Sequence, residues 1–516
     1  MYLVTSELMR QIDRAAIENC QIPSETLMEN AGGGITERLL LQNIIDPSQN
    51  NQVVVICGKG NNGGDGFVVG RYLHNAGVDV RIYFISPVGK LSRDAEINYD
   101  KAVACKIAID EITKISDLPD SLECTHMIDA IFGTGFEGAP HGLAAELIEY
   151  INLQNASVIS IDLPSGLNSD NGTHADVVVN ADYTFTLALP KYGLFLSPGR
   201  ELSGHVEVVP IGIPDDVIEK FKLPHQLITA DLVASKLPKR KPDGHKGDFG
   251  YLLIIAGSTG LTGAAALTAQ CAMRSGCGMV RVACPSSVQP VLAGKLTEIM
   301  THPLPDVAKK GALALRGLGE IRRLALDYDA LALGPGIGRH HETVELIQRF
   351  VADNEKPIVI DADALYALGS KTNALKDSKA PTVLTPHAGE FKRLTGDNVP
   401  TDIHKRFEVA KSFAQEYNVT LLLKGSPTII AHPSGRCYLN PTGNSGMAKG
   451  GSGDVLTGII ASLMAQGLST EDAAVCGAYI HGLAGDFAAD ALTPRAMMAG
   501  DMIDFLSGAF ASLDAD

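Results

Sequence analysis

Strand-like apolar runs at Val53 to Cys57, Val80 to Ile85, Met127 to Phe132 and Val158 to Leu163 alternate with stretches of helical periodicity. That rhythm predicts a parallel sheet flanked by helices. Further runs at Tyr183 to Leu189 and Val206 to Ile211 continue it until a polar, Pro-containing region from Lys222 to Lys246 interrupts the pattern. We take that region as a domain boundary, with domains at 1–221 and 222–516. The rhythm resumes at Tyr251 to Ala256, followed by runs at Met279 to Cys284, Ala330 to Leu333, Ile358 to Ile360, Thr382 to Leu384 and Leu421 to Leu423. Helical patterns then dominate at Asp454 to Gln466, Glu471 to Asp490 and Ala499 to Ser512. No tandem repeat is visible.

Length agrees with this division, because 516 residues exceed what one hydrophobic core serves. A hydrophobic share of 45% and a charged share of 20% are ordinary for a globular protein, so disorder is not expected. A net charge of -16 argues against a duplex-binding surface, since that requires Lys and Arg against phosphates. The small cluster Lys239, Arg240, Lys241 and Lys246 reads as a solvated linker. Nine cysteines, an odd number without a Cys-x-x-Cys pair, are expected as buried free thiols in a reducing compartment. Glu7, Arg10, Asp13 and Arg14 break any signal-peptide apolar core, and no stretch approaches the ~20 apolar residues of a membrane helix. A cytoplasmic protein is expected.

The first strand runs into Gly58-Lys59-Gly60-Asn61-Asn62-Gly63-Gly64-Asp65-Gly66, which formally contains Gly-x-Gly-x-x-Gly. In a dinucleotide fold such glycines admit a pyrophosphate, and an acidic residue about 20 positions on holds the ribose. Here the second strand ends in Ser86-Pro87 with no carboxylate, which weakens that reading. No Lys-Ser or Lys-Thr closes the loop, so it is not a P-loop. What it offers is amide and carboxylate chemistry for a polar ligand or a hard cation. Two later strands end in Asp129-Ala130-Ile131-Phe132-Gly133-Thr134-Gly135 and Ile161-Asp162-Leu163-Pro164-Ser165-Gly166, each with an Asp at the edge where open α/β sheets bind ligands. Any one Asp could merely cap a loop; three such loops on one edge point to a site.

These motifs, over roughly residues 1 to 215, resemble the N-terminal domain of the bifunctional NAD(P)H-hydrate repair enzymes, which epimerises the hydrated cofactor NAD(P)HX. The resemblance implies a Rossmann-like three-layer domain. It implies that Asn61, Asn62, Gly63, Gly64 and Asp65, the loop Gly133-Thr134-Gly135-Phe136-Glu137-Gly138-Ala139, and Asp162 contact the hydrate. Asn62, Asp129 and Ser165 would give oxygen ligands to K+, and Asp162 would handle the proton at the hydroxylated ring carbon. Lys191 either assists or snorkels along apolar surface.

The second half carries Gly-rich strand ends at Gly257 to Ala266 and Gly334 to Gly338, and Thr385-Pro386-His387-Ala388-Gly389-Glu390 after a third strand. Its strongest signal is Asn444-Ser445-Gly446-Met447-Ala448-Lys449-Gly450-Gly451-Ser452-Gly453-Asp454 before a helix. Successive glycine amides at a helix start form an anion nest, and a carboxylate beside it can take a proton from an attacking hydroxyl. The plainer reading is a Gly-rich loop with Asp454 as helix cap.

Nest, Asp and helix resemble the ribokinase-like kinases. Lys424-Gly425-Ser426-Pro427-Thr428, Thr385 to Glu390 and Asn440 to Asn444 narrow the resemblance to the dehydratase domain of the same repair enzymes. It implies a C-terminal ribokinase-like α/β domain in which Ala264, Gly338, His387 and Asp454 line the hydrate, while Lys424, Gly425, Ser426, Pro427, Thr428 and Gly453 bind the adenine nucleotide. Asp454 would activate the hydrate hydroxyl to attack the terminal phosphoryl of ADP, with Mg²⁺ on the phosphates, and loss of phosphate would regenerate NAD(P)H and leave AMP. The partners implied are NADHX, NADPHX and adenine nucleotide, with no nucleic acid, no membrane and a homo-oligomeric state. Two other readings share parts of the pattern: a vitamin or sugar kinase fused to an accessory domain, and a noncatalytic binding protein.

Overall fold

The computed structural model describes residues 1–85, 88–308, 310–369 and 371–514, so Ser86-Pro87, the predicted end of the second strand, lies outside the described residues. The chain divides into two compact units, Met1–Leu223 and Pro224–Asp516.

Seven described strands form the sheet of the first unit: β1 (Gln52–Cys57), β2 (Asp79–Phe84), β3 (Ala108–Glu111), β4 (His126–Ala130), β5 (Ser157–Ile161), β6 (Tyr183–Leu187) and β7 (His205–Val209). Their order is β3-β2-β1-β4-β5-β6-β7, and every pairing is parallel. The order reverses between β1 and β4, which opens a crevice at their carboxyl ends. One face of the sheet packs Val53, Val55 and Ile82 with Phe67, Val69 and Leu73 of the helix Asn61–Asn75. The other packs Val54, Ile56 and Met127 with Leu147 and Ile151 of the helix Leu143–Leu153. These strands read as continuous apolar runs because both faces are covered. β3 escaped the sequence reading: as an edge strand it is only half-buried, and its Ala-Ile-Asp-Glu carries little apolar signal.

In the second unit the strands are β8 (His225–Leu227), β9 (Tyr251–Ile255), β10 (Met279–Pro285), β11 (Met300–Leu304), β12 (Ala330–Leu333), β13 (Ile358–Ile360), β14 (Thr382–Leu384), β15 (Thr420–Leu423), β16 (Thr428–Ala431) and β17 (Cys437–Asn440). They lie in the order β11-β10-β9-β12-β13-β14-β15-β16-β17-β8, with β16 antiparallel to both neighbours. The polar stretch 222–246 is therefore more than a linker. β8 pairs with β17, and the helix Ala230–Lys236 follows, with Val233 in the core. Arg240 stays exposed, as expected of a solvated cluster, although its guanidinium lies 3.9 Å over the Phe249 ring and donates to the Gly276 carbonyl at 3.0 Å. Among the described residues no helix is long and apolar enough to cross a membrane. All nine cysteines are free, but Cys20 is exposed and Cys105 and Cys124 are only half-buried.

Candidate active sites

In the first unit the ends of the adjacent strands β1, β4 and β5 carry Asn62, Asp129 and Asp162 to one crevice. Asn62 and Asp65 are not in a loop, as the Gly-rich string suggested, because the helix already begins at Asn61. A Cβ on Gly63 would fall 1.9 Å from the Gly58 carbonyl oxygen, and one on Gly58 2.1 Å from that of Ile131. These two glycines let the helix sit flush on the strand ends, a packing demand rather than a phosphate cradle. Gly64 faces Met28 of the helix Ser24–Leu41 in the same way.

Asp129 is fully buried. Its carboxylate accepts from the Ser165 hydroxyl at 2.6 Å, the Ser165 amide at 2.8 Å, the Ser160 hydroxyl at 2.9 Å and the Ile131 amide at 3.2 Å. Burial pushes its pKa above the ordinary value despite these donors, none of which is a Lys or Arg. Asn62 is buried, and its side-chain Nδ2 has no partner. Its Oδ1 and the Oδ2 of Asp162 lie 3.1 Å and 3.0 Å from where a Cβ on Gly133 would stand, so the glycine keeps that point open. A buried carboxylate without a basic partner, together with side-chain oxygens on Ser165 and Asn62, is donor chemistry that fits a monovalent cation.

Asp162 adopts φ 69, an uncommon left-handed backbone for a non-glycine residue, which marks a site held by its surroundings. Its Oδ1 accepts from Lys191 Nζ at 2.6 Å, and its Oδ2 accepts from the Thr134 amide at 3.0 Å. Lys191 is 1% exposed and also donates to the Thr186 hydroxyl and the Leu187 carbonyl, which overturns the snorkelling alternative. Burial pushes Asp162 up, but the Lys191 ammonium and the hydrogen bonds outweigh it and hold the carboxyl below its usual value. For Asp65 the balance is reversed: burial, with Asp162 and Asp13 nearby, outweighs a weaker pull from Lys191 and drives its pKa well up. In the loop 133–139 the rings of Phe132 and Phe136 stack at 4.3 Å, while Gly135, Glu137 and Gly138 stay exposed at the rim.

In the second unit the anion nest forms at the start of the helix Ser452–Ala465, with Gly451 at φ 97 as its cap. A Cβ on Gly453 would meet Lys424 Nζ at 3.3 Å and Asp361 Oδ2 at 3.6 Å, so the ammonium stands over the nest. Lys424 donates to Asp361 Oδ1 at 2.9 Å and lies 3.8 Å from Glu390, while Asp361 Oδ2 accepts from the Thr457 hydroxyl at 2.7 Å. Burial pulls Lys424 down, yet these carboxylates outweigh it and keep its pKa above the ordinary value. Asp454 has no cation of its own. Burial and the nearby Asp361 carboxylate push its pKa up to about 7, against a weaker pull from Lys424.

The remaining loops are tied to the same edge. The Thr268 hydroxyl reaches the carbonyls of Ala264 and Asp454, both at 3.0 Å, which links the helix Thr262–Arg274 to the nest helix. Ser258 bonds the Gly336 carbonyl at 2.8 Å, and the Gly338 amide donates to Asp363 at 3.1 Å. His387 pairs its backbone with Lys424, and its Nδ1 accepts from the Gly389 and Glu390 amides, leaving Nε2 to carry the proton on an exposed ring. Thr428 closes the Gly425–Thr428 turn by donating to the Gly425 carbonyl at 3.1 Å, and Arg406 donates to the Pro427 carbonyl at 3.0 Å. Lys449, inside the glycine string, points away and donates to the carbonyls of Pro494, Arg495 and Met497.

Three residues at these sites were not assigned roles from sequence. Asp361 follows β13 as Asp162 follows β5, so the rule that singled out strand-end carboxylates would have found it. Arg406 comes from the helix Ile403–Tyr417 and Asp13 from the helix Ser6–Cys20, and neither carried a local signal.

A helix-start anion nest with a carboxylate raised to about 7 and a lysine above it is the arrangement that phosphoryl transfer requires. It is joined in one chain to a Rossmann-like unit with a buried Asp-Lys pair. The family model described as NAD(P)H-hydrate dehydratase matches residues 252–507, and that of the YjeF-related protein N-terminus matches residues 24–193. A relative from Moorella thermoacetica, named bifunctional NAD(P)H-hydrate repair enzyme Nnr, is 43% identical over 100% of this chain and 98% of its own length. One of the same name from Escherichia coli K12 is 34% identical over 88% of this chain and 84% of its own. Among solved structures, the ADP/ATP-dependent NAD(P)H-hydrate dehydratase from Bacillus subtilis, co-crystallised with ATP and Mg²⁺, is 32% identical and covers 56% of this chain and 98% of its own, with a TM-score of 0.47. The chain belongs to the bifunctional NAD(P)H-hydrate repair enzymes. Its activities are those of an epimerase, an isomerase, and of a dehydratase, a lyase.

Proposed function

We propose that Asp454 is the base that starts dehydration, and the observation that carries this is its pKa of about 7 beside the nest and Lys424. It takes the proton from the hydroxyl of S-NAD(P)HX, whose oxygen attacks the terminal phosphoryl group of the nucleotide. Water leaves poorly at neutral pH, whereas phosphate leaves readily with help from the ring nitrogen, giving NAD(P)H. ADP is the donor in this reading and AMP its product. The nest amides around Gly453, with Lys424 to Thr428, hold the nucleotide; Ala264, Gly338 and His387 line the hydrate. Mg²⁺ would neutralise charge on the nucleotide phosphates.

In the epimerase, residues 1–221 in this reading, Asp162 handles the proton at the hydroxylated carbon, with Asn61 to Asp65 and Gly133 to Ala139 around the hydrate. Asn62, Asp129 and Ser165 would hold K+, an ion that supplies a fixed positive charge; Asp129's lack of a basic partner supports this. The dehydratase, residues 222–516, accepts one epimer, and the epimerase delivers the other to it. NADHX, NADPHX and an adenine nucleotide are the small-molecule partners, and the chain works in the cytoplasm as a homo-oligomer. The free cysteines support the cytoplasmic part of this reading.

The test is to incubate the protein with mixed NADHX epimers and ADP and follow the reduced-nicotinamide absorbance. Full recovery is expected, in a fast phase for the S epimer and a slower phase for the R epimer. Absence of recovery refutes the dehydratase assignment, and absence of the second phase refutes the epimerase assignment.

A further inference from the structure

The helix Ser6–Cys20 has no part in the reading above, yet it is fastened to the segment that carries Lys191. The Val4 amide donates to the Pro190 carbonyl at 3.0 Å, and Val4 bridges Lys191. Ser6 is held by Asp170, its amide donating to Oδ1 at 2.6 Å. Val4, Met9 and Ile12 pack with Leu189 and Leu223 in one apolar cluster. Arg10 reaches Glu137 of the loop 133–139 at 3.8 Å.

Met9, Asp13 and Ala16 follow one another at helical spacing on the inward side, where Met9 and Ala16 are buried. Asp13 thus places a carboxyl on an otherwise apolar stripe, and its Oδ1 is buried with no hydrogen-bond partner. A packing role would favour an apolar residue here, and a structural role would demand a partner for that oxygen. Asp13 is within electrostatic reach of Lys191, Asp162 and Asp65, and burial raises its pKa to about 6. Lys191 therefore has on one side an ionised carboxylate, Asp162, whose proton it keeps off, and within its electrostatic reach a second carboxyl, Asp13, that retains its proton more readily.

We propose that Asp13 is the second proton-transfer group of the epimerase site, acting on the face of the hydrated ring opposite to Asp162. This rests on the epimerase reading of Asp162. Asp13 donates its proton to the hydroxyl oxygen on the ring carbon next to nitrogen. The C–O bond breaks, its electron pair leaves with water, and the nitrogen lone pair forms C=N. A water on the other face then adds its oxygen pair to that carbon as Asp162 accepts its proton, and the C=N pair returns to nitrogen. One proton enters, one departs, and nothing is oxidised. The opposite epimer is consumed with the two carboxyls exchanging roles, as the reversibility of an epimerisation requires.

The test uses the full chain with mixed NADHX epimers and ADP, which separates the fast phase of the S epimer from the R phase that needs epimerisation. Asp13→Asn should slow the R phase roughly 100-fold and leave the S phase unchanged. Asp13→Glu should restore at least a tenth of the wild-type R phase. The acid form is lost as pH rises through about 6, so the wild-type R phase should fall on that side. Asp13→Asn should lack this limb. Lys191, Asp162 and Asp65 face Asp13 from the crevice, and Arg10 and Arg14 share its helix, so the limb is read as a difference between variant and wild type. An R phase in Asp13→Asn within threefold of wild type overturns the proposal. So does a slowed R phase that Asp13→Glu does not rescue and that keeps the wild-type pH limb, for that is a structural defect. A wild type with no R phase instead defeats the epimerase reading itself.

Discussion

Asp162 and Asp454 occupy matching places in the two units. Each lies at the carboxyl edge of a largely parallel sheet, each is buried or nearly so, and each has one lysine close by. Their protons are nevertheless held in opposite ways. Lys191 gives its closest contact, 2.6 Å, to Asp162 itself, and the carboxyl falls below its usual value. Lys424 spends its contact on Asp361 at 2.9 Å and shares the rest of its field with Glu390, so Asp454 rises to about 7. Burial alone raises both; the ownership of the cation decides the sign. A dedicated lysine makes a standing carboxylate, whereas a shared one leaves a base poised to take up a proton near neutrality.

The largest effect expected is from Asp454→Asn, which removes the base while keeping the volume. Recovery of NADH from the S epimer should fall roughly 1,000-fold, followed by absorbance. Next, Lys191→Met should strand Asp162 as an unpaired buried charge and cost about 3–5 kcal/mol of unfolding free energy in urea titrations. Adding Asp162→Asn to that variant, which removes the charge and suits the left-handed backbone, should recover much of the loss, which a lysine acting only through packing would not allow. Asp162→Asn should slow R-epimer consumption about 100-fold and leave the S phase intact. The smallest effect concerns pH. A base with a pKa of about 7 makes dehydratase kcat/KM fall as pH drops through that value. Asp361→Asn removes a repelling carboxylate and frees Lys424, so the acidic limb should move down by about one unit. An unmoved limb would show that Asp361 does not set the proton affinity of Asp454.

The parallel core strands were legible because burial on both faces writes itself as unbroken apolar runs, as in Val53 to Cys57 and Leu421 to Leu423. Edge strands such as β3, and the short β8 inside a polar stretch, carry no such run and were missed. Strand-end carboxylates were legible for a similar reason, since a parallel sheet places them on one edge. The proton affinities were not. Lys191 lies far from Asp162 along the chain, and nothing near Lys191 says that it is buried. Asp13 read only as one of several charges that break an apolar run near the start of the chain, and its orphaned oxygen exists only once the helix Ser6–Cys20 has docked.

Lys449 carries a consequence for the order in which the protein matures on the ribosome. It ties the Gly-rich string to the backbone of Pro494, Arg495 and Met497, residues made well after Asp454. The phosphate nest therefore lacks one of its anchors until the start of the final helix has emerged, whereas the first unit is complete in sequence by Leu223. Synthesis from the N-terminus thus brings the isomerase to completion ahead of the lyase.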